Sequence, residues 1–139
     1  MTTITTWFTL GLIGELLGTA LLAYGYTLVP EATRKRYLLL VSIPGIAIVA
    51  YLLLVLDVGA VDGGGHTVYV VRYIDWLLTT PINVLYLGLL AHANRRTIGK
   101  LVTLQALTIV FGFAGAVASP PVSYVLFALG LAALVSFFA

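Results

Sequence analysis

The chain has 139 residues, 61% hydrophobic and 9% charged, with a mean hydropathy of +1.11, whereas soluble domains are roughly half apolar and a quarter charged. That composition excludes a soluble globular protein and a disordered one alike, and with no cysteine there is no disulfide framework and no thiolate chemistry. Seven basic residues against five acidic ones leave a net charge of +2, too sparse for the basic stripe that binds nucleic acid.

A helix needs about 20 apolar residues to cross a bilayer, and five segments qualify, at about residues 6–28, 37–56, 68–91, 101–118 and 122–139. The fold expected is an all-α transmembrane domain in a cell membrane, crossed several times. The first span is not a cleavable signal peptide, because Met1 to Thr6 carries no basic residue and no small-residue cleavage site follows. Glu15 lies mid-span, where a charge is expensive, and reads as a neutral or hydrogen-bonded interface carboxylate; Gly11, Gly14 and Gly18 lie close to its face, and Gly14 and Gly18 form a small-xxx-small pair suited to close helix approach.

The connector after the first span holds Arg34, Lys35 and Arg36, and the one after the third holds Arg95 and Arg96, with Lys100 just beyond. Basic connectors stay cytoplasmic, which places the N-terminus outside. The connector after the second span holds Asp57, Asp62, a flexible Gly63-Gly64-Gly65 and His66, and the one after the fourth is Ser119-Pro120-Pro121; both fall on the outer side. Asp57, Asp62 and His66 lack the spacing of a metal site, so no metal is expected. His92 is a residue at headgroup level. The last span stops in Leu134 to Ala139 with no basic anchor or polar tail, as if cut.

The third span carries the chemistry. On a 3.6-residue period Arg72, Asp75, Trp76, Thr79, Thr80, Asn83 and Tyr86 share one stripe in aliphatic surroundings. An ionised side chain at membrane depth costs roughly 2.5–3.5 kcal/mol on insertion scales, so such residues face a protein interior or a wet cavity. Arg72 and Asp75 at i, i+3 can partly neutralise one another, and the plain reading is an ion pair anchoring a bundle. A carboxylate beside an indole and two hydroxyls equally describes a pocket for an elongated apolar cation, Thr79 and Thr80 bonding to the carboxylate or to neighbouring helices. Pro81 removes a backbone donor where that ligand would lie.

The run Arg72-Tyr73-Ile74-Asp75-Trp76-Leu77-Leu78-Thr79-Thr80-Pro81 resembles the third-helix signature of the archaeal microbial rhodopsins, retinal proteins of seven helices. The likeness covers the whole chain, through Tyr51, through Gly112-Phe113-Ala114-Gly115-Ala116, and through Tyr124 with Leu126-Phe127. It is nearest to the sensory rhodopsin II branch. The resemblance implies five helices of an incomplete seven-helix bundle and all-trans retinal as cofactor. Asp75 would be counter-ion and proton acceptor of a protonated retinal Schiff base, and Arg72 its electrostatic partner. Contacts with retinal would come from Ile43, Tyr51, Tyr73, Trp76, Thr79, Thr80, Asn83, Thr108, Gly112, Phe127 and Gly130. Asn83 and Thr108 depart from the mostly apolar family pattern, which predicts an altered colour.

The family's pumps carry a carboxylate at the position of Tyr86, and a phenol is a much weaker acid; Gln105 likewise stands for a fourth-span acid and could hydrogen-bond towards Thr80. Both departures imply a light sensor signalling to a membrane transducer, with a light-driven proton pump as the alternative. The retinal lysine belongs to the family's seventh helix; Lys35 and Lys100 are the lysines of this chain and neither lies on the Asp75 face. Helices six and seven, with the family's second counter-ion acid, are therefore expected to be missing. The candidate partners are the bilayer, a transducer and a second copy of the chain. An enzyme is not expected: there is no Ser-His-Asp set, no HExxH and a single carboxylate on the Asp75 stripe. A retinal-free channel or carrier is the remaining rival.

Overall fold

The computed structural model describes residues 3–138. Met1, Thr2 and Ala139, on which parts of the expectations for both chain ends fall, lie outside them. Five helices follow one another: α1 (Thr3–Leu28), α2 (Glu31–Val55), α3 (Val70–Leu90), α4 (Arg95–Val117) and α5 (Val122–Phe138). Each packs on its chain neighbour, as short connectors between apolar helices dictate. The first four are long and apolar enough to cross a membrane. α5 has 17 residues and so measures about 26 Å at 1.5 Å per residue.

The helices outrun the apolar segments at their charged ends. Arg34, Lys35 and Arg36 lie inside α2, and Arg95 and Arg96 open α4. Hydropathy registers only the part of a helix that suits hydrocarbon, whereas backbone hydrogen bonding continues through residues at headgroup level. Arg34 bridges Glu31 at 3.7 Å one turn away and donates from Nε to the Val29 carbonyl at 3.2 Å. Asn94 starts α4 by accepting from the Thr97 amide at 2.8 Å, the usual N-cap bond.

Between α2 and α3 the chain forms a structure that was expected to be a flexible loop running into a helix at Val68. Ala60–Asp62 (β1) pairs antiparallel with Thr67–Tyr69 (β2), Val61 facing Val68. Thr67-Val68-Tyr69 is β-branched and aromatic with its middle residue buried, a strand pattern. Gly64 and Gly65 take φ of 63° and 93° in the turn, which is glycine's territory. The Gly65 amide donates to Asp62 Oδ1 at 3.1 Å and the Val70 amide to the Gly59 carbonyl at 2.9 Å, tying the hairpin to the start of α3.

Both α2 and α3 end in the same way. Val58 donates to the Leu53 carbonyl and Asp57 to Leu54; Ala93 donates to Gly88 and His92 to Leu89. These are paired Schellman bonds, with Asp57 (φ 57°) and His92 (φ 54°) in the left-handed position that glycine usually fills. His92 is thus a helix terminator before it is anything else.

Tight helix approaches occur where glycine meets a ring. A side chain at Gly11 would collide with Tyr51, and one at Gly25 with the Tyr37 hydroxyl. Gly14 and Gly18 make no close helix approach among the described residues: no atom of another helix stands within 4 Å of where a Cβ would be, because α1 turns Gly11, not Gly14, toward α2. Phe8, Ala50, Leu54 and Val71 form the buried core of α1, α2 and α3, with Phe8 edge-on to Tyr69 at 5.0 Å.

Candidate functional site

Asp75 is 7% exposed and Thr79, one turn on, is 6% exposed. α3 turns them into its packing with the neighbouring helices, and the 3.6-residue period accounts for their sharing a face. Asp75 borders an entirely apolar groove of about 280 Å³ between α2 and α3, walled by Ile46, Val49, Ala50 and Leu53 on one side and by Val71, Ile74 and Leu78 on the other. Its Oδ1 is buried with no hydrogen-bond partner. Buried carboxylate oxygens are nearly always paired, and among the described residues only the Thr19 hydroxyl shares this unpartnered state.

Arg72 does not form the expected ion pair with Asp75. Its guanidinium carbon stands 4.9 Å from the centre of the Trp76 ring, and the Arg34–Glu31 bridge is the one salt bridge among the described residues. The reason is directional: Arg72 precedes Asp75 by three residues, towards the hairpin end of α3, and its planar head gains a cation–π contact with the indole on its own side of the helix.

The threonines also differ from expectation. Thr79 Oγ1 donates to the Asp75 backbone carbonyl at 2.8 Å and Thr80 Oγ1 to the Trp76 carbonyl at 2.7 Å. Neither reaches the carboxylate or Gln105, because a helical threonine finds the i−4 carbonyl without displacing anything. Thr108 does the same with Leu104 at 2.9 Å.

The proposed contact residues fall into three groups. Tyr73 stacks edge-on with Trp76 at 5.6 Å and meets Phe113 of α4 at 5.1 Å, building an aromatic wall. Thr108, Gly112 and Gly130 meet where α4 crosses α5, Gly130 backing onto the Thr108 carbonyl and the Gly112 amide, while Phe127 lies over Gly115. Trp76 remains 36% and Phe127 49% exposed, and Asn83 is exposed as well. Ile43 is half-buried in α2. Tyr51 packs against Gly11 of α1 and does not line the groove. Sequence reasoning missed that groove wall and Phe113; the signal was the α2 run Ile46-Ala47-Ile48-Val49-Ala50, whose alanines let helices approach.

Comparison with known proteins bears directly on this arrangement. The bacteriorhodopsin-like protein family matches residues 2–138. The chain belongs to that family. It is 74% identical over 130 residues to sensory rhodopsin-2 of Haloarcula vallismortis, covering 94% of this chain and 55% of that protein. It is 44% identical to sensory rhodopsin-2 of Natronomonas pharaonis, covering 96% of this chain and 56% of that protein. Among solved structures, the thermophilic rhodopsin from Rubrobacter xylanophilus superimposes with a TM-score of 0.89 at 35% identity, over 97% of this chain and 62% of that one. The chain spans about half the length of the curated relatives it matches. As a bacteriorhodopsin-like chain with these helices, it is a multi-pass membrane protein.

Proposed function

We propose that this protein is a retinal-binding light sensor of the sensory type, not an enzyme, with Asp75 as counter-ion to the bound cofactor's positive charge. The observation that carries the reading is the orphaned Asp75 Oδ1, buried beside an apolar groove. An ionised carboxylate in such a place calls for a cation, and Arg72 is engaged with Trp76, so the residues present fit a cationic, conjugated, apolar group. Retinal, when bound, supplies a cation that absorbs visible light.

In this arrangement Asp75 balances the charge and accepts a proton, while Arg72 adjusts the potential from the hairpin side. Tyr73, Trp76, Thr79, Thr80 and Asn83 of α3, Thr108 and Gly112 of α4, Phe127 and Gly130 of α5, and Ile43 and Tyr51 of α2 would shape the pocket. Tyr51 serves this role by holding α1 in place, given its contact with Gly11. The isomer expected is all-trans, and the lysine that attaches it lies elsewhere than in residues 1–139. The basic ends of α2 and α4 support a cytoplasmic location for both, with the N-terminus outside.

Sensing is favoured over pumping because α3 holds no acid besides Asp75; Tyr86 sits half-buried with Arg36 and Tyr37 around a cavity of about 220 Å³ at the opposite end of the helix. Signals would pass to a transducer protein in the same membrane. The test is the full-length protein reconstituted with all-trans retinal. A visible absorption band that shifts in Asp75→Asn, with no light-driven pH change in vesicles, is the expected result. No visible band would remove the retinal reading, sustained light-driven acidification would replace the sensor by a pump, and an unshifted band in Asp75→Asn would remove the counter-ion role.

A further inference from the structure

Three aromatic rings run in contact from α4 to the hairpin half of α3. Phe113 of α4 meets Tyr73 at 5.1 Å between ring centres, and Tyr73 stands edge-on to Trp76 at 5.6 Å and 69°. The row ends on a charge, the Arg72 guanidinium carbon lying 4.9 Å from the centre of the Trp76 ring. Helix spacing makes the row possible: Tyr73 and Trp76 are three residues apart and Arg72 and Trp76 four, so all three project from neighbouring positions on one side of α3. Phe113 is the member that α3 cannot supply, and it reaches Tyr73 because α3 and α4 pack side by side.

Trp76 is 36% exposed, and Tyr73 is the one ring that touches it among the described residues. An indole turns about two side-chain bonds, so its plane is fixed here by the Tyr73 edge and by the guanidinium it carries. Tyr73 is itself half-buried and lines two cavities, one of about 190 Å³ shared with Arg72 and Trp76 and one of about 420 Å³ shared with Gly115 and Phe127. With open space beside the phenol, the Phe113 contact is what holds it in place. The guanidinium has two places to go. One is the indole, which it occupies; the other is the Asp75 carboxylate, three residues along the same helix and reached by a different arginine rotamer.

We infer that Phe113 is a positioning residue of the Asp75 site: through Tyr73 it holds the Trp76 ring against the Arg72 guanidinium and so keeps that charge off the carboxylate. Without the Phe113 ring Tyr73 falls back, the indole turns, and the guanidinium moves to Asp75, where an opposite charge at contact distance favours the ionised form. This role rests on the Asp75 site of the proposed function and holds with or without bound retinal. Other groups able to set the charge on Asp75 are few. The hairpin brings His66 and Tyr69, which line the cavity beside Arg72, and Asp62, which accepts from the Gly65 amide. α2 walls the Asp75 groove with apolar side chains, its Tyr51 packing on Gly11. α4 carries Arg95, Arg96 and Lys100 at its far end, and α3 adds Tyr73 and, towards its other end, Tyr86.

The experiment is an infrared pH titration of the Asp75 carboxyl band in the full-length protein, with and without all-trans retinal, over about pH 3 to 9, the range that ordinary and buried carboxyls cover. Asp75→Asn identifies the band. Phe113→Leu is expected to lower the midpoint of Asp75 protonation by about one unit or more, and Phe113→Tyr, which keeps the ring, to leave it at the wild-type value. Phe113→Met gives the same answer as leucine should the branched side chain disturb folding. In an Arg72→Gln background these substitutions leave the midpoint unmoved, because the charge that would approach Asp75 is gone. Lost packing alone would lower Tm in both backgrounds and move neither midpoint. A midpoint unchanged in Phe113→Leu and Phe113→Met, a shift in Phe113→Tyr as large as in leucine, or a shift that persists with Arg72→Gln overturns the inference. Failure to form a visible pigment would remove the photoreceptor reading and leave the retinal-free titration standing.

Discussion

Gly63→Ala is the sharpest perturbation the fold offers. Gly63 is buried at the tip of the hairpin, and a Cβ there would stand 2.7 Å from the Ala116 carbonyl oxygen and collide with a Val68 methyl. The carbonyl belongs to the last turn of α4, with Val117 Cα 3.4 Å away, so the hairpin has to lift away from the helix end, since backbone cannot swing aside. Overpacking of this kind costs about 1–3 kcal/mol, and because the hairpin opens locally the cost falls on its own equilibrium. At tenfold per 1.4 kcal/mol, protection of the hairpin amides should drop about 5- to 150-fold. Hydrogen exchange with mass spectrometry on the full-length protein reads this directly, in a peptide covering Ala60 to Val70, with α1 amides as the internal standard. Protection within about twofold of wild type would refute the docking of Gly63 on α4, since even the lower cost exceeds that.

Three further outcomes follow from single contacts. Asn94→Ala removes the cap on the Thr97 amide and should cost about 1 kcal/mol, seen as a lower Tm and faster exchange confined to the start of α4. His92→Gly relieves a non-glycine residue at φ 54° and should raise stability by about 1 kcal/mol; a lower Tm would show that the imidazole has a role beyond ending α3. Gly99→Ala, on an exposed helical site with open space around it, should stabilise α4 by about 0.5–1 kcal/mol, and an unchanged or lower Tm would mean that something outside residues 1–139 occupies that space.

The helices were legible because five apolar runs of bilayer length leave little choice, and the chemistry was legible because Arg72, Asp75 and Trp76 are conspicuous in aliphatic surroundings. Side-chain direction was not. Periodicity places Arg72 and Asp75 on one stripe but does not say that an indole one turn away competes for the guanidinium, nor that Thr79 and Thr80 turn back to their own helix. The hairpin was hidden by its glycines, which read as slack until Thr67 to Tyr69 is seen as a strand. Glycine spacing misled for a related reason: Gly14 and Gly18 form the familiar pair, while contact falls to Gly11 and Gly25, whose partners are tyrosines on another helix. A pattern within one segment cannot reveal what faces it.

The two ends of α3 bear on how the site can move. At one end the Val70 amide is tied to Gly59, and at the other the Leu87 to Ala93 turn is locked by its Schellman bonds. Pro81 sits between these two ends and offers no amide to the Leu77 carbonyl, two residues beyond Asp75. The missing bond makes this the point of α3 where the helix bends at least cost, with Asp75 on the hairpin side of it and Asn83 and Tyr86 on the other.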